Sequence, residues 1–177
     1  MDDVDIHLVR RAKRGEIDAF ETIVRNYQDF VYRTAYGVTQ HHSDAKDVAQ
    51  ETFVKVFLSV KNLKEERTFP TWIARITART ALDWIEKHRH IPQSNVALER
   101  LASNKNESQA ADARIDLQRG MNSLSPEHRM VLVLRDIQGF EYEDISNILE
   151  IPIGTVRSRI HNARLQLRRE LLSSEGG

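Results

Sequence analysis

The sequence predicts an all-α protein built of two small helical domains joined by a flexible linker. Apolar residues recur at three- and four-residue intervals along most of the chain, as they do on the buried side of a helix. The 177 residues include only seven glycines and four prolines, and no segment alternates as a β-strand does. A polar stretch in the middle of the chain separates the two periodic halves.

Composition excludes several classes of protein. The chain has no cysteine, so disulfides, thiol nucleophiles and cysteine-ligated zinc sites are ruled out. No apolar run approaches the roughly 18 residues of a membrane-spanning helix, and the acidic start MDDVDIHL is unlike a signal peptide. We therefore expect a cytoplasmic protein with no membrane insertion.

Enzyme chemistry and metal binding are not expected. No glycine-rich phosphate loop or activated nucleophile is present. The histidines nearest to one another are adjacent or two residues apart, positions that do not share a helix face: His41, His42, His88 and His90. We expect neither a cofactor nor a metal site.

The first domain, residues 1–90, is expected to contain four helices. A short helix runs from about Asp5 to Arg14 and ends at Gly15, where a left-handed residue is tolerated. Asp18 and Glu21 form a capping-box pattern that opens a long second helix. Ser43 is positioned to cap a third helix.

The fourth helix begins near Pro70, which suits a first helical position, and runs to about His88. Residues 91–112 then shift to Ser, Asn, Gln and Ala with little periodicity, which is typical of a linker. Fully extended, 20 residues span about 65 Å, close to two turns of B-DNA at about 34 Å each. Two small domains on this linker can therefore occupy separate sites on one duplex.

The second domain, residues 113–177, begins with a helix near Ala113–Asn122. The motif SPEHR supplies Ser125 as a helix cap and Pro126 at the first helical position. Gly139 ends that helix. Two helices remain, 142–149 and 152 to about 172, separated by two residues, and this spacing predicts a helix-turn-helix.

The last helix has a buried stripe and a basic outer side. On a helical wheel the apolar stripe consists of Val156, Ile160, Ala163 and Leu167. Five arginines and no acid lie between Thr155 and Arg169. A narrow, cationic helix after a tight turn is suited to enter the DNA major groove. A less specific interpretation is that this segment is simply the last helix of a bundle, in which Arg168 and Arg169 offset the negative end of the helix dipole.

The segment LSPEHRMVLVLRDIQGFEYEDISNILEIPIGTVRSRIHNARLQLR, 124–168, resembles region four of the extracytoplasmic function (ECF) sigma factors of bacterial RNA polymerase. The resemblance implies that the last helix reads the promoter's minus-thirty-five element. The residues that it assigns to this DNA contact are Thr155, Arg157, Ser158, Arg159, His161, Asn162 and Arg164. Glu150 occupies a turn position where Gly or Asn is common in the family.

Two segments of the first domain resemble region two of the same family. DAKDVAQETFVKVF, 44–57, is similar to the segment that grips the polymerase clamp, which implies contacts by Asp47, Gln50 and Glu51. FPTWIARITARTALDWIEKHRH, 69–90, is similar to the helix that opens and reads the minus-ten element. The residues implied at that element are Lys61, Asn62, Phe69, Trp72, Arg75 and Arg79. Whether Trp72 and Trp84 contact DNA or only pack stays open.

The resemblance implies core RNA polymerase, promoter DNA and an anti-sigma factor as partners, the last often anchored in the membrane. Two other classes of protein remain open from the residues alone. If the chain is a helix-turn-helix regulator that acts without polymerase, it should form a dimer that binds duplex DNA tightly. If it is a helical adaptor that binds no nucleic acid, the basic residues from 157 to 164 could be replaced by Ala or Gln without loss of function.

Overall fold

The computed structural model describes residues 3–88 and 105–174, and these residues form helices and short turns without a β-strand. The predicted all-α fold is confirmed. The α-helices are α1 (Asp3–Lys13), α2 (Ile17–Thr39), α3 (His42–Ser59), α4 (Phe69–His88), α5 (Lys105–Ser123), α6 (Pro126–Leu132), α7 (Tyr142–Leu149) and α8 (Ile153–Ser174). Two 3₁₀ turns, Val60–Asn62 and Glu66–Thr68, connect α3 to α4.

The start of α2 differs from the expected capping box. Gly15 ends the α1 turn with φ +87°, as predicted, but α2 begins at Ile17, so Asp18 lies inside its first turn. Asp18 accepts a hydrogen bond from Arg11 at 2.6 Å, and Glu16 accepts one from the same guanidinium at 2.7 Å. The capping prediction was wrong because ion pairing with α1 takes up the Asp18 carboxylate.

The start of α3 also differs from the prediction. The helix begins at His42, so Ser43 is its second residue and does not cap it. The His42 ring instead stacks on Tyr36 at 4.5 Å between centroids, and its Nδ1 lies 2.6 Å from the Tyr32 hydroxyl. Aromatic packing against α2 therefore fixes this helix start.

The C-terminal half begins earlier than predicted. Helix α5 starts at Lys105 instead of Ala113, inside the expected linker of residues 91–112. Residues 105–112 read KNESQAAD, and Lys, Glu, Gln and Ala favour helix. The expected linker residues 91–104 lie outside the described part of the chain. Ser125 caps α6 as predicted, since its hydroxyl accepts from the His128 N–H at 3.2 Å.

Helix α6 passes directly into one turn of π-helix, Val133–Ile137, where the sequence predicted a continuous α-helix. Gly139 ends the segment with φ +78°, as expected. The Gln138 side chain then reaches α2, where its Nε2 donates to the Phe30 carbonyl at 3.2 Å and to the Thr34 hydroxyl at 2.9 Å. A π turn is often found where a helix serves a specific contact, and this one places Gln138 against α2.

One apolar cluster lies within the N-terminal half. Its fully or nearly buried members are Val9, Ala12, Ala19, Ile23, Val31, Val56, Val60, Leu63, Phe69 and Ile73. Phe69 is 0% exposed, and the Tyr27 ring meets it edge to face with 5.1 Å between centroids. The assignment of Phe69 to the minus-ten surface is therefore corrected, because its ring is enclosed by the core and cannot stack on a base.

The second apolar cluster is shared by the two halves of the chain. It joins Ala35, Val38, Ala45, Val48, Ala74, Ala78 and Ala81 to residues of α5–α8 that include Met130, Val133, Leu134, Ile145, Ile148, Val156 and Ile160. A Cβ at Gly37 would overlap the Val133 side chain, so the absence of a side chain lets α2 approach the π turn. The two halves thus pack against each other through buried apolar surface.

We expect Phe69→Ala to lower the free energy of unfolding by about 3 to 5 kcal/mol, because it empties a fully buried site. The matched control is Phe57→Ala, which removes a ring that is 50% exposed and touches Phe20 edge to face. We expect that change to cost no more than about 1.5 kcal/mol. Urea unfolding measures both, and equal losses would contradict the core position of Phe69.

Candidate nucleic-acid interface

Helix α4 forms one wall of an open cavity of about 410 Å³. The cavity is lined by Lys55, Ser59, Asn62, Trp72, Arg75, Ile76, Arg79, Thr80 and Glu150. Four of the residues assigned to the minus-ten element, Asn62, Trp72, Arg75 and Arg79, are therefore brought together. A cavity with an indole on one wall and two guanidinium groups nearby offers a stacking surface and cations for a nucleic-acid strand.

Lys61 is exposed on the 3₁₀ turn beside this cavity but does not line it. Lys55 and Thr80 do line it, although the sequence interpretation did not select them. The Lys55 ammonium donates to the Thr80 hydroxyl at 3.1 Å and pairs with Glu51 at 2.8 Å. The Glu51–Lys55 pair has i, i+4 spacing, so it could be predicted from the sequence. The contact of Lys55 with Thr80 of α4 could not be predicted in this way.

The two tryptophans of α4 have different surroundings. Trp72 is half-buried, packs against Phe69 with 5.7 Å between ring centroids, and faces the cavity with its remaining surface. Trp84 packs against the shared apolar cluster and stacks on His88 at 4.2 Å. Its buried indole N–H has no hydrogen-bond partner among the described residues. Trp72 is thus the tryptophan with surface in the cavity.

The arginines of α4 bind residues of the second half. Arg75 donates from Nη2 to the Asn147 carbonyl at 2.9 Å, and its Nη1 lies 3.7 Å from a Glu150 carboxylate oxygen. Arg79 forms a short ion pair with the other Glu150 oxygen. Glu150 follows α7 in the left-handed conformation, with φ +55°. The carboxylate at the helix-helix turn is therefore held between two cations of α4.

The basic side of α8 is largely open to solvent. Three of the four predicted stripe residues, Val156, Ile160 and Ala163, are at most 1% exposed, whereas Leu167 is half-buried. The exposed predicted contact residues are Arg157, Ser158, His161, Asn162 and Arg164, while Thr155 and Arg159 are half-buried. Seven neighbouring residues line a shallow cavity of about 290 Å³: Tyr142, Arg157, Ile160, His161, Arg164, Leu165 and Arg168. The cationic residues thus form one continuous surface.

Arg164 differs from its neighbours because it is paired. Its Nη2 and Nε donate to the two oxygens of Asp136, the second at 3.3 Å. The hydrogen bond to Asp136 raises the pKa of the Arg164 guanidinium above its ordinary value. Asp136 lies in the π turn, 28 residues before Arg164. A phosphate that binds Arg164 must compete with this carboxylate.

Arg135 and Tyr142 support the start of α7. The Arg135 guanidinium lies 5.2 Å above the Tyr142 ring, and it donates to the Phe140 carbonyl at 2.9 Å. It also pairs with Glu141 at 3.0 Å. These contacts hold the start of α7, which has no side-chain cap. Sequence reasoning missed this cation–π contact, which only the folded chain brings together.

The acidic side of α3 is exposed as expected. Asp47 and Gln50 are exposed, and Glu51 is half-buried beside Lys55. On the helical wheel Val54 and Leu58 lie within about 40° of the Asp47–Glu51 side, and they are 54% and 64% exposed. The exposure of Val54 and Leu58 could have been predicted from the sequence, because other residues already form the apolar stripe that α3 buries. The acidic row and these aliphatic side chains form one mixed surface.

Within the described ranges 3–88 and 105–174, no group of side chains has the composition of a metal site. None of the described helices combines the length and the apolar character that are needed to span a bilayer.

Comparisons with known proteins match both halves of the chain. Residues 23–91 match the family model for Sigma-70 region 2, and residues 114–167 match the model for Sigma-70 region 4. The chain is 41% identical over 161 residues to the ECF RNA polymerase sigma factor SigE of Mycolicibacterium smegmatis, covering 88% of this chain and 62% of that protein. It is 31% identical to the RNA polymerase sigma-H factor of Pseudomonas aeruginosa, covering 90% of each.

Solved structures share the fold. The complex of CnrH with the cytosolic domain of CnrY matches with a TM-score of 0.71 at 23% identity, over 98% of this chain and 100% of that chain. The sigma factor RpoE of Bartonella quintana, solved with the anti-sigma factor NepR, matches with a TM-score of 0.66 at 22% identity. That match covers 86% of this chain and 96% of the other.

We expect Asp136→Asn to strengthen binding to duplex DNA, because it releases Arg164 from its ion pair. One additional phosphate contact makes the slope of log affinity against log salt more negative by about 0.9. Fluorescence anisotropy with a labelled duplex across a salt series measures both quantities. Asp29→Asn is the control, since it changes net charge equally at an exposed position of α2. Equal effects of the two variants would show that only net charge matters.

Proposed function

The chain belongs to the ECF family of RNA polymerase sigma factors, and from that premise we propose that it directs core RNA polymerase to specific promoters and helps to open them. In this proposal residues 1–90 act as region 2 and residues 113–177 act as region 4, and the joining residues 91–112 include the first turns of α5. The observation that carries it is the presence, on one chain, of the exposed basic surface of α8 and the exposed acidic row of α3. The protein acts as a transcription initiation factor and not as an enzyme.

The surface of α8 is proposed to read the minus-thirty-five element. Arg157, His161 and Asn162 are exposed on a helix whose opposite side is fixed in the core. An arginine that binds guanine through two hydrogen bonds discriminates against other bases by about 1 to 3 kcal/mol. Ser158 and the half-buried Thr155 and Arg159 lie near the same end of α8, where hydroxyl and guanidinium groups suit phosphate contacts.

The cavity of α4 is proposed to hold the opened minus-ten strand. Melting a duplex requires groups that stabilise the unpaired bases, and stacking on an aromatic ring contributes about 1 to 3 kcal/mol per base. Trp72 offers the indole surface, while Arg75, Arg79 and Lys61 supply cations for the phosphates and Asn62 an amide for a base edge. Phe69 supports the Trp72 ring from the core and takes no direct part.

The acidic row of α3 is proposed to contact a basic helix of the polymerase. Asp47 and Gln50 present acceptors to solvent, and the neighbouring Val54 and Leu58 add apolar area that a solvated surface does not require. Charge complementarity steers association, and buried aliphatic side chains add affinity. Glu51 reaches the same surface while its partner Lys55 bonds Thr80 of α4.

We also propose cytoplasmic action, where core polymerase and promoter DNA are found, and control by an anti-sigma factor, often membrane-anchored in this family. The support for a protein inhibitor is the shared fold with RpoE, which was solved in complex with the anti-sigma factor NepR. The mixed acidic and aliphatic surface of α3 and the shared core of the two halves are the surfaces that such an inhibitor would compete for.

Run-off transcription tests the proposed function directly. Purified core polymerase is combined with a library of promoter fragments, with and without this chain, and transcripts are sequenced. We expect start sites that appear only when the chain is present. Failure of the chain to select any start site, or tight duplex binding as a dimer without polymerase, would overturn the proposal.

We expect the double variant Asp47→Ala, Gln50→Ala to weaken binding to core polymerase by at least about tenfold, which corresponds to about 1.4 kcal/mol. Both side chains are exposed, so thermal unfolding should not change. Asp83→Ala is the control, because it removes an exposed carboxylate from α4. Unchanged affinity in the double variant would remove the acidic row from the proposed interface.

A further inference from the structure

We propose that Lys13 of α1 is a positioning residue for the minus-ten contact. It holds the carboxylate of Glu66 and thereby fixes the α3–α4 connection, residues 60–68, which carries Lys61 and Asn62 to the edge of the α4 cavity. This inference rests on the proposed function for the identity of the DNA strand. The anchoring of the connection rests on packing and hydrogen bonds within the N-terminal half.

The α3–α4 connection is made of two short 3₁₀ turns. The Leu63 N–H closes the first turn by donating to the Val60 carbonyl at 3.1 Å. The Thr68 N–H closes the second by donating to the Glu65 carbonyl at 3.1 Å. Hydrogen bonds in such turns have poorer geometry than those of an α-helix. The placement of the connection therefore depends on the elements that pack against it.

Two apolar side chains of the connection are buried on the side of α1. Val60 is 3% exposed and Leu63 is 6% exposed. Both belong to the apolar cluster of the N-terminal half, which also contains Val9 and Ala12 of α1, and α1 lies against both 3₁₀ turns. Because the hydrophobic effect is non-directional, a directional contact is needed to select one placement of the connection on α1.

The directional contact is the ion pair between Lys13 and Glu66. The Lys13 ammonium donates to one carboxylate oxygen at 2.7 Å, and the Arg10 guanidinium lies 3.9 Å from the other oxygen. The side chains of Lys13 and Glu66 are 20% and 17% exposed, so solvent screens this pair less than an exposed pair. The hydrogen bond from Lys13 lowers the pKa of the Glu66 carboxyl below its ordinary value, and the acceptor stays charged at neutral pH.

The side chains of Lys61 and Asn62 depend on the connection for their direction. Both residues are exposed, and neither side chain has a hydrogen-bond or ion-pair partner among the described residues. The backbone of the connection therefore decides where the ammonium and the amide point. Glu66 lies between Asn62 and Trp72 in the chain. A shift of Glu66 would thus move the amide relative to the indole on the cavity wall.

The two proposed DNA contacts differ in their sensitivity to such a shift. A displacement of about 1 Å takes a hydrogen bond between the Asn62 amide and a base edge out of its range. The attraction between the Lys61 ammonium and a phosphate falls only gradually with distance. Loss of the anchor should therefore reduce discrimination among bases more than it reduces the overall affinity for the strand.

Lys13→Met tests the anchor, because it keeps a long side chain and removes the cation. Run-off transcription with core polymerase uses a promoter library randomised over the minus-ten element. We expect the transcript ratio between preferred and other bases to fall about tenfold at one or more positions, as for the loss of one good base contact. Amide hydrogen exchange in the free chain should become faster at residues 60–68 and stay unchanged in α8.

Three further variants separate positioning from a general loss of stability. Arg11→Met removes a cation of the same helix whose partners, Glu16 and Asp18, lie outside the connection, and it should leave base discrimination unchanged. Lys13→Arg keeps a cation at the anchor and should retain discrimination. Glu66→Gln should reproduce the effect of Lys13→Met, and the double variant should lose no more than Glu66→Gln, because both changes break one interaction.

Unchanged base discrimination in Lys13→Met, with start sites still selected, would overturn the positioning role and leave the sigma function standing. A loss of discrimination that Arg11→Met shares would also overturn it. If Lys13→Met does not fold, Glu66→Gln decides the outcome in the same way. If the original chain selects no start site while hydrogen exchange at residues 60–68 rises in Lys13→Met, the sigma function fails and the anchoring of the connection stands.

Discussion

The close approach of Gly37 in α2 to Val133 in the π turn is the contact on which the arrangement of the two halves depends. Because residue 37 has no side chain, the Val133 methyl groups lie where a Cβ would be. The adjacent Arg129 and Gln138 can then reach backbone carbonyls of α2. A larger residue at position 37 would move apart both the apolar surfaces and these donors. Because protein interiors are closely packed, there is no empty volume that could accommodate a larger side chain without this separation.

The charges of this protein act locally. The chain has equal numbers of basic and acidic residues, yet the exposed cations of α8 and the exposed acceptors of α3 form separate surfaces of opposite sign. A third charged contact joins Glu150 to Arg75 and Arg79 of α4. An ion pair that is about half exposed contributes little stability, so it is easily exchanged for another anion.

Much of the fold followed from the sequence, because the information needed was local. The buried stripe of α8, the Ser125 cap and the Gly15 and Gly139 helix ends each depend on residues within a few positions of one another. The helix starts at Ile17 and His42 were mispredicted because residues of other helices decide them. Phe69 was assigned to DNA from its position in a motif, whereas its burial depends on Tyr27 and the rest of the core.

The sequence by itself determined the helical class, the two-part organisation, and the sign of charge on α3 and α8, since periodicity and charge segregation are properties of single segments. Only the tertiary structure decided that Arg75 and Arg79 face Glu150, that Arg164 is paired with Asp136, and that α2 and the π turn meet at Gly37. These partners are separated by 28 to 96 residues. No local pattern encodes a contact whose geometry arises only when distant helices pack.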